Sequence, residues 1–410
     1  MGNIAGIDVH KKMLAVVIRV ESEDKVEYLK RKFGTTANEI GHLASWLTQQ
    51  NVLEAALEST AEYWRPVWNG LEAHLKLHLC NPLQVKARRG RKQDFRDAQR
   101  LADRWHSGDL EESFVPGAEQ RSWRWLTRSR VQLRRLIGAA RSRVECLLEQ
   151  GGIKLTSVVT DPFGVSGWAM LKLLAKGERD VKILVGEARG QLKKKEAELT
   201  QALVGKLNPT HRLVLQQSLD QVELLRRQIE EINQALKETM LPHTAALVRL
   251  VKIPGVDLAA AQELLAEIGP GAATFASGGQ FASWVGVCPG SQESAGVTYS
   301  RRSAKGNRYL RRLLCQIAWA AIRTKDTFYG SLFRRLSQRL AAKGAAWAVA
   351  HRIGKVVWLL LHEEVEYREL GPAPQRPKSL VKKLQRLTKD FANAGMDLQA
   401  ALAKCSPAVS

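Results

Sequence analysis

The chain has 410 residues, more than one ordinary hydrophobic core accommodates, so two or three domains are expected. Lys and Arg number 63 against 41 Asp and Glu, a formal charge of +22. Such an excess repels itself in a compact chain and points to a polyanionic partner, for which nucleic acid fits best because neutralised phosphates release condensed counterions. A membrane surface is the competing polyanion. Against it, apolar runs such as residues 356–361 are too short to span a bilayer, and the N-terminus shows no signal-peptide pattern. Gly6 also stands where a myristoylation motif needs Ser or Thr. Cys80, Cys146, Cys288, Cys315 and Cys405 are scattered with no CxxC pair. They signal neither a disulfide framework nor a zinc knuckle, and a reducing, cytoplasmic setting is expected.

In chain order, residues 4–9 form a short apolar run broken by Asp8. Residues 13–20 are apolar and rich in β-branched side chains, and residues 26–33 alternate as an edge strand would. A helix follows over residues 37–50, with Ile40, Leu43, Trp46 and Leu47 on one face, then a strand over 52–57 ending at Glu58. A helix over 61–75, a short strand within 77–85 and a helix over 93–105 complete the order β-β-β-α-β-α-β-α, a mixed α/β layer. Residues 117–152 read as a basic helix, and 181–241 as long charged helices broken at Asn208-Pro209. Leu215, Leu219, Val222, Leu225, Ile229, Ile232 and Leu236 recur at spacings of three and four, a seam of about three heptads. Such a seam either joins subunits as a coiled coil or packs on its own chain as a helical hairpin, and the spacing alone does not decide. Residues 246–268 read as helix, Ile253-Pro254-Gly255-Val256 turn, helix. A turn of this kind can offer backbone N–H groups to a phosphate, although an ordinary helical hairpin looks the same. Residues 269–299 are rich in Gly, Ser and Pro, helices follow over 307–323 and 345–361, and a basic tail extends beyond residue 372.

The acids carry the chemistry. Asp8 lies inside an apolar run, where a charge is costly unless it is paired or holds a metal. Glu58 ends a different strand, and Asp94 and Asp97, three apart, share a helix face. With the first and fourth strands side by side, the helix would bring its carboxylates over both. Four gathered carboxylates repel without a cation, and their hard oxygens suit Mg²⁺ or Mn²⁺. Two such ions about 4 Å apart can serve phosphodiester chemistry. Singly, each acid could instead cap a turn, begin a helix or offset Arg91, Lys92 and Arg96.

Gly6-Ile7-Asp8-Val9-His10-Lys11, then Glu58, then Asp94-x-x-Asp97-Ala98 with Leu101-Ala102, resembles the DEDD tetrad of RuvC-like, RNase H-like nuclease domains. More narrowly it resembles the N-terminal domain of the IS110 family of insertion-sequence transposases, the bridge-RNA-guided recombinases. The resemblance implies that Asp8, Glu58, Asp94 and Asp97 are the metal ligands.

The second cluster is Pro289-Gly290-Ser291-Gln292-Glu293-Ser294-Ala295-Gly296, followed by Arg301, Arg302, Lys305, Arg308, Arg311 and Arg312. Asn307 can cap the ensuing helix, whose N-terminal end adds to this positive field. Such a cluster can bind a phosphate and stabilise developing charge. On residue chemistry alone a solvated turn before a basic helix is the simpler reading, because no histidine lies nearby in sequence as a base. The family resemblance implies more: Ser294 as a nucleophile forming a covalent phosphoserine link to DNA beside the DEDD metals. Ser291, Ser300, Ser303 and Tyr299 are nearby alternatives.

Two further basic segments are candidate nucleic-acid contacts. Arg88, Arg89, Arg91 and Lys92 precede the helix of Asp94, and Trp123-Arg124-Trp125 interleaves aromatics with cations that include Arg121, Arg128, Arg130, Arg134 and Arg135. An amphipathic helix with Trp123 turned inward and a solvated cationic face is the plainer reading of the second.

The expected architecture is an α/β RNase H-like (RuvC-like) domain over residues 1–115, basic helices and a coiled coil over 116–245, a mostly α serine transposase domain over 246–365 and a basic tail over 366–410. The expected function is DNA cleavage, covalent capture and strand exchange for an insertion sequence. Donor and target DNA are the expected partners, with divalent ions as cofactors. The resemblance adds a guiding non-coding bridge RNA, and holding two DNA sites calls for a homodimer or homotetramer. The rivals are a metal-dependent junction nuclease in which water attacks, and a non-enzymatic basic nucleic-acid binder.

Overall fold

The computed structural model describes residues 2–22, 25–58, 62–80, 93–290, 292–294, 297–300, 303–372 and 385. The chain forms two compact units, residues 1–117 and 118–410.

The first unit has the element order expected from periodicity. Strands β1 (Asn3–Val9), β2 (Leu14–Ser22) and β3 (Lys25–Phe33) lead to helix α1 (Ala37–Gln49). Strand β4 (Val52–Glu58), helix α2 (Trp64–Leu71), strand β5 (Lys76–Cys80) and helix α3 (Asp94–His106) follow. The sheet order is β3-β2-β1-β4-β5. β1 pairs antiparallel with β2, with Asp8 opposite Ala15, and parallel with β4, with Ile7 opposite Leu57. β1 is therefore central and covered on both faces, which explains its nearly unbroken apolar run. One face packs Ile7, Leu14, Val16, Ile18 and Leu57 against Leu43 and Leu47 of α1 and Val67 and Leu71 of α2. Thr36 caps α1 by accepting from the Glu39 N–H. On the other face Ala56 and Cys80 meet Leu101 of α3 and Leu110.

Among its described residues the second unit is helical apart from a short pair of strands. Its principal helices are α4 (Ala118–Gln150), α5 (Val165–Lys176), α6 (Pro209–Thr239), α7 (Thr244–Val251), α8 (Leu258–Ile268) and α9 (Gly278–Val285), followed by α10 (Arg308–Arg323), α11 (Phe328–Leu336) and α12 (Ala342–His362). Strands β6 (Gln292–Ser294) and β7 (Val297–Ser300) lie between α9 and α10.

Two expectations need revision here, and one left open by the spacing is resolved in the packing. Residues 181–207 do not make a long helix. They fold as short helical pieces, with Gly190 at φ +57° breaking the run. The Gly/Ser/Pro-rich stretch conceals α9, capped by Ser277 and anchored by Phe281, Ala282 and Val285, because Gly278-Gly279 reads as a breaker in sequence. The heptad-like seam is used within the chain: Leu215, Leu219, Val222 and Leu236 are buried, and α6 packs on α4 and α5. The helical-hairpin reading describes that packing.

The turn between α7 and α8 is a packing device rather than an open loop. Gly255 has φ +84°, and a Cβ there would lie 2.8 Å from the Ala321 nitrogen and the Ile317 oxygen of α10. Only glycine admits both the conformation and the approach.

Buried charge ties α4 to the following helices. Arg130, 1% exposed, donates to Gln262 Oε1 (2.6 Å), the Ala259 carbonyl (2.9 Å) and Asn233 Oδ1 (3.0 Å). Burial draws its pKa down to about 10.

Candidate functional site

The first unit assembles its acids through backbone geometry. Gly6 and Asp8, two apart on β1, face the same side of the sheet. A Cβ on Gly6 would lie 2.0 Å from the Ala98 carbonyl oxygen, so the missing side chain lets the start of α3 rest directly on β1. That contact carries Asp94 and Asp97, in the first turn of α3, over Asp8. Glu58 arrives from β4, one residue beyond the Ile7–Leu57 pair, as Asp8 is on β1. Farther along, Tyr28 Oη donates to Asp103 (2.8 Å), Trp105 Nε1 donates to Glu54 (3.1 Å), and the Trp105 ring stacks on His78 at 3.9 Å. Helix α3 is thus fixed at several points before any ligand is considered.

Ligand-type atoms of Asp8, His10 and Asp94 all lie within 4.8 Å of one another. His10 Nε2 is 3.1 Å from Asp8 Oδ2 and 3.5 Å from Asp94 Oδ1, while Lys32 Nζ is 3.6 Å from Asp94 Oδ2. Asp97 accepts from Arg100 at 2.9 Å. Asp8 is 7% exposed, and burial lifts its carboxyl above the usual carboxylate range; His10 opposes the shift, whereas the charges of Asp97 and Glu58 reinforce it. Asp97 and Glu58 are not members of that group of mutually close ligand atoms, although their charges act on Asp8. An acid pushed toward protonation by burial, with neighbouring acids adding to the shift, is the environment that a divalent cation relieves, and the carboxylate oxygens suit Mg²⁺ or Mn²⁺, whereas the His10 imidazole is a softer donor. The residues fit such an ion.

His10 is the member that sequence reasoning overlooked. His10 stands two residues after Asp8, just beyond the end of β1, where its N–H closes a bend onto the Met13 carbonyl at 3.0 Å. Arg88, Arg89, Arg91 and Lys92 fall outside the described residues.

In the second unit Ser294 ends β6 opposite Val297 of β7, within a short antiparallel strand pair rather than an irregular loop. Ser291, Arg301 and Arg302 lie outside the described residues. Ser303 Oγ is 3.3 Å from Arg311, which also donates to the Ala304 carbonyl. Asn307 caps α10 by accepting from the N–H groups of Tyr309 and Leu310, as expected.

The cationic residues divide by role. Trp123 is 1% exposed and Trp125 is 65% exposed, so only the second can meet a base in this conformation. Arg124 donates to the carbonyls of Ala266 and Glu267, and Arg312 donates to Glu263 at 2.6 Å. Both spend donors inside the fold. Lys305 and Arg308 are exposed.

A family model described as Transposase IS116/IS110/IS902 family matches residues 248–330, and an IS110 DEDD transposase model matches residues 5–152. A Pseudomonas aeruginosa protein named as a family 20 transposase is 28% identical over 159 residues, covering 38% of this chain and 46% of its own length. A Sinorhizobium fredii protein named as transposase y4pF/y4sB is 32% identical over 126 residues, covering 30% of this chain and 32% of its own. The matches thus span less than half the length of these relatives. Among solved structures, Thermus thermophilus RuvC aligns at 14% identity over 27% of this chain and 99% of its own, with a TM-score of 0.22. No described helix is long and apolar enough to cross a membrane.

Proposed function

We propose that this chain, which belongs to the IS110 family of transposases, cleaves and rejoins DNA through a divalent-metal site at Asp8, Glu58, Asp94 and Asp97 together with Ser294. The observation that carries the reading is the meeting of Asp8, His10 and Asp94 within 4.8 Å, with Asp97 and Glu58 near enough to shift Asp8. Residues 1–115 would be the RuvC-like nuclease domain, residues 116–245 a helical connector and residues 246–365 the serine transposase domain.

In this reading the carboxylates would hold one or two Mg²⁺ or Mn²⁺ ions, which would supply charge neutralisation during phosphodiester cleavage. The rigid seating of α3 on Gly6 keeps the carboxylates in place beforehand, so little reorganisation is needed. The Ser294 oxygen attacks the scissile phosphorus, the strand's 3′ oxygen leaves with a proton, and a phosphoserine ester to the 5′ end results. Attack by a second strand's 3′ hydroxyl reverses this and releases Ser294. Donor and target DNA, a guiding bridge RNA and a homo-oligomer complete the proposal.

The test incubates the full chain and its co-purifying RNA with labelled element-end DNA and Mg²⁺ or Mn²⁺, then resolves the products under denaturing conditions. A protein–DNA adduct is expected. It disappears in Ser294→Ala and in Asp8→Asn. Cleavage without any adduct would leave the nuclease reading.

His10 favours that second reading in one respect. An imidazole 3.1 Å from Asp8 and facing Asp94 can take a proton from an attacking water. Under the nuclease reading His10→Ala abolishes cleavage, and Ser294→Ala leaves it intact.

A further inference from the structure

A cleft of about 410 Å³ opens in the second unit beside the start of α10, lined in part by Trp284, Lys305, Asn307, Arg308 and Tyr309. Its floor is fixed by a buried carboxylate. Glu267, 3% exposed, accepts two bonds from Arg128 (2.7 and 2.9 Å) and one from the Asn307 side-chain amide (2.8 Å). The Arg128 guanidinium then lies over the Tyr309 ring at 4.3 Å. A side chain at Gly306 has no room, since a Cβ would stand 2.2 Å from the Val285 oxygen. The segment leading into α10 is therefore seated before any ligand arrives.

The walls differ in chemistry. Trp284 is 41% exposed, and its indole is backed by Phe275 at 5.1 Å and Phe281 at 6.5 Å. An indole so braced offers a face to a ligand without moving. Lys305 and Arg308 are exposed and make no ion pair among the described residues, and Arg308 is steadied by donating to the Tyr309 hydroxyl at 3.0 Å. A small apolar ligand would leave these cations unused. A base pair within a duplex has no open face for the indole. An unpaired nucleotide uses both walls, its base against the ring and its phosphate on the cations. The volume lies in the range of about 300–1,000 Å³ usual for pockets that hold one small organic group.

We propose that this cleft binds one unpaired nucleotide of a single nucleic-acid strand, the base stacking on Trp284 and the phosphate held by Lys305 and Arg308. The inference rests on the nucleic-acid function proposed above and adds a single-strand subsite at the segment that leads into α10.

The test measures fluorescence anisotropy of a labelled oligothymidylate and, separately, of a blunt duplex, with the full-length chain. Trp284→Ala is expected to weaken oligothymidylate binding about five- to a hundredfold, the range of one lost stack. Duplex binding should change less than about twofold, and Trp284→Phe should retain most of the single-strand affinity. Lys305→Gln with Arg308→Gln should flatten the salt dependence of single-strand binding. Unchanged binding by Trp284→Ala, in a variant whose melting temperature matches the wild type, overturns the proposal. So does equal displacement of oligothymidylate by polyglutamate, which would assign the cleft to acidic polypeptide. If the wild type binds duplex but not oligothymidylate, this inference alone falls. If it binds neither, the proposed function falls as well.

Discussion

Gly6 and Ala98 touch so closely that a methyl group on the first would sit 2.0 Å from the carbonyl oxygen of the second. The seating of α3 on β1, and with it the position of Asp94 and Asp97 over Asp8, depends on an absent side chain. Gly6→Ala must push α3 outward. Overpacking of this kind costs about 1–3 kcal/mol, and a displacement near 1 Å at a catalytic constellation costs on the order of a hundredfold in rate. A lowered melting temperature together with a collapse of metal-dependent DNA cleavage is expected. Wild-type cleavage by this variant would show that α3 does not need its present seat.

Asp8 makes a prediction about pH and metal. Burial, with Asp97 and Glu58 nearby, raises its carboxyl pKa in the folded chain above its unfolded value of about 3.9. The folded form then holds the proton more tightly than the unfolded form. For this group stability is greatest at low pH and falls as pH rises from the unfolded value through the folded one. In chelator at neutral pH, Asp8→Asn should therefore melt higher than the wild type while being inactive. Adding Mn²⁺ should raise the wild-type melting temperature and leave the variant's unmoved. Equal responses to Mn²⁺ in a calorimeter would dissociate Asp8 from any metal.

Glu267 is held by Arg128 on α4 and by Asn307 at the cap of α10. Glu267→Ala leaves a guanidinium without its carboxylate, a change that typically costs about 3–5 kcal/mol when the pair is buried. Arg128 is partly exposed, so the lower end of that range is expected from urea denaturation. A loss under 1 kcal/mol would mean that the pair is solvated in solution.

The two neighbouring tryptophans should behave oppositely. Trp123 lies in the main core of the second unit, and Trp123→Ala is expected to cost about 3–5 kcal/mol. Trp125 is 65% exposed, and Trp125→Ala should alter stability by less than about 0.5 kcal/mol. Denaturation of both variants decides the matter, and a large loss in Trp125→Ala would require a packing partner for that ring.

The element order of the first unit was legible in its sequence because β-branched runs and amphipathic spacing are local signals, and β1 to α3 declare themselves one at a time. Residues 269–299 hid α9 because two adjacent glycines outweigh Phe281 and Val285 in any local reading, whereas burial of those side chains outweighs the glycines in the folded chain. The acids were nameable as a set: a charge inside an apolar strand is anomalous on its face. His10 was not, because a histidine after a strand looks like any turn residue until Asp94 is brought within 3.5 Å of it.

The sequence by itself determined the charge excess, the alternation of strands and helices, and the identities of Asp8, Glu58, Asp94 and Asp97 as chemically unusual residues. Only the tertiary structure decided which of the cations remain available and which, like Arg130 and Arg312, are consumed inside the fold. It also turned the seam of α6 inward against its own chain. The physical reason is the same in each case. Spacing reports which side chains share a face, but what lies opposite that face is set by segments distant in the chain, 49 residues away for Arg312 and Glu263 and 132 for Arg130 and Gln262.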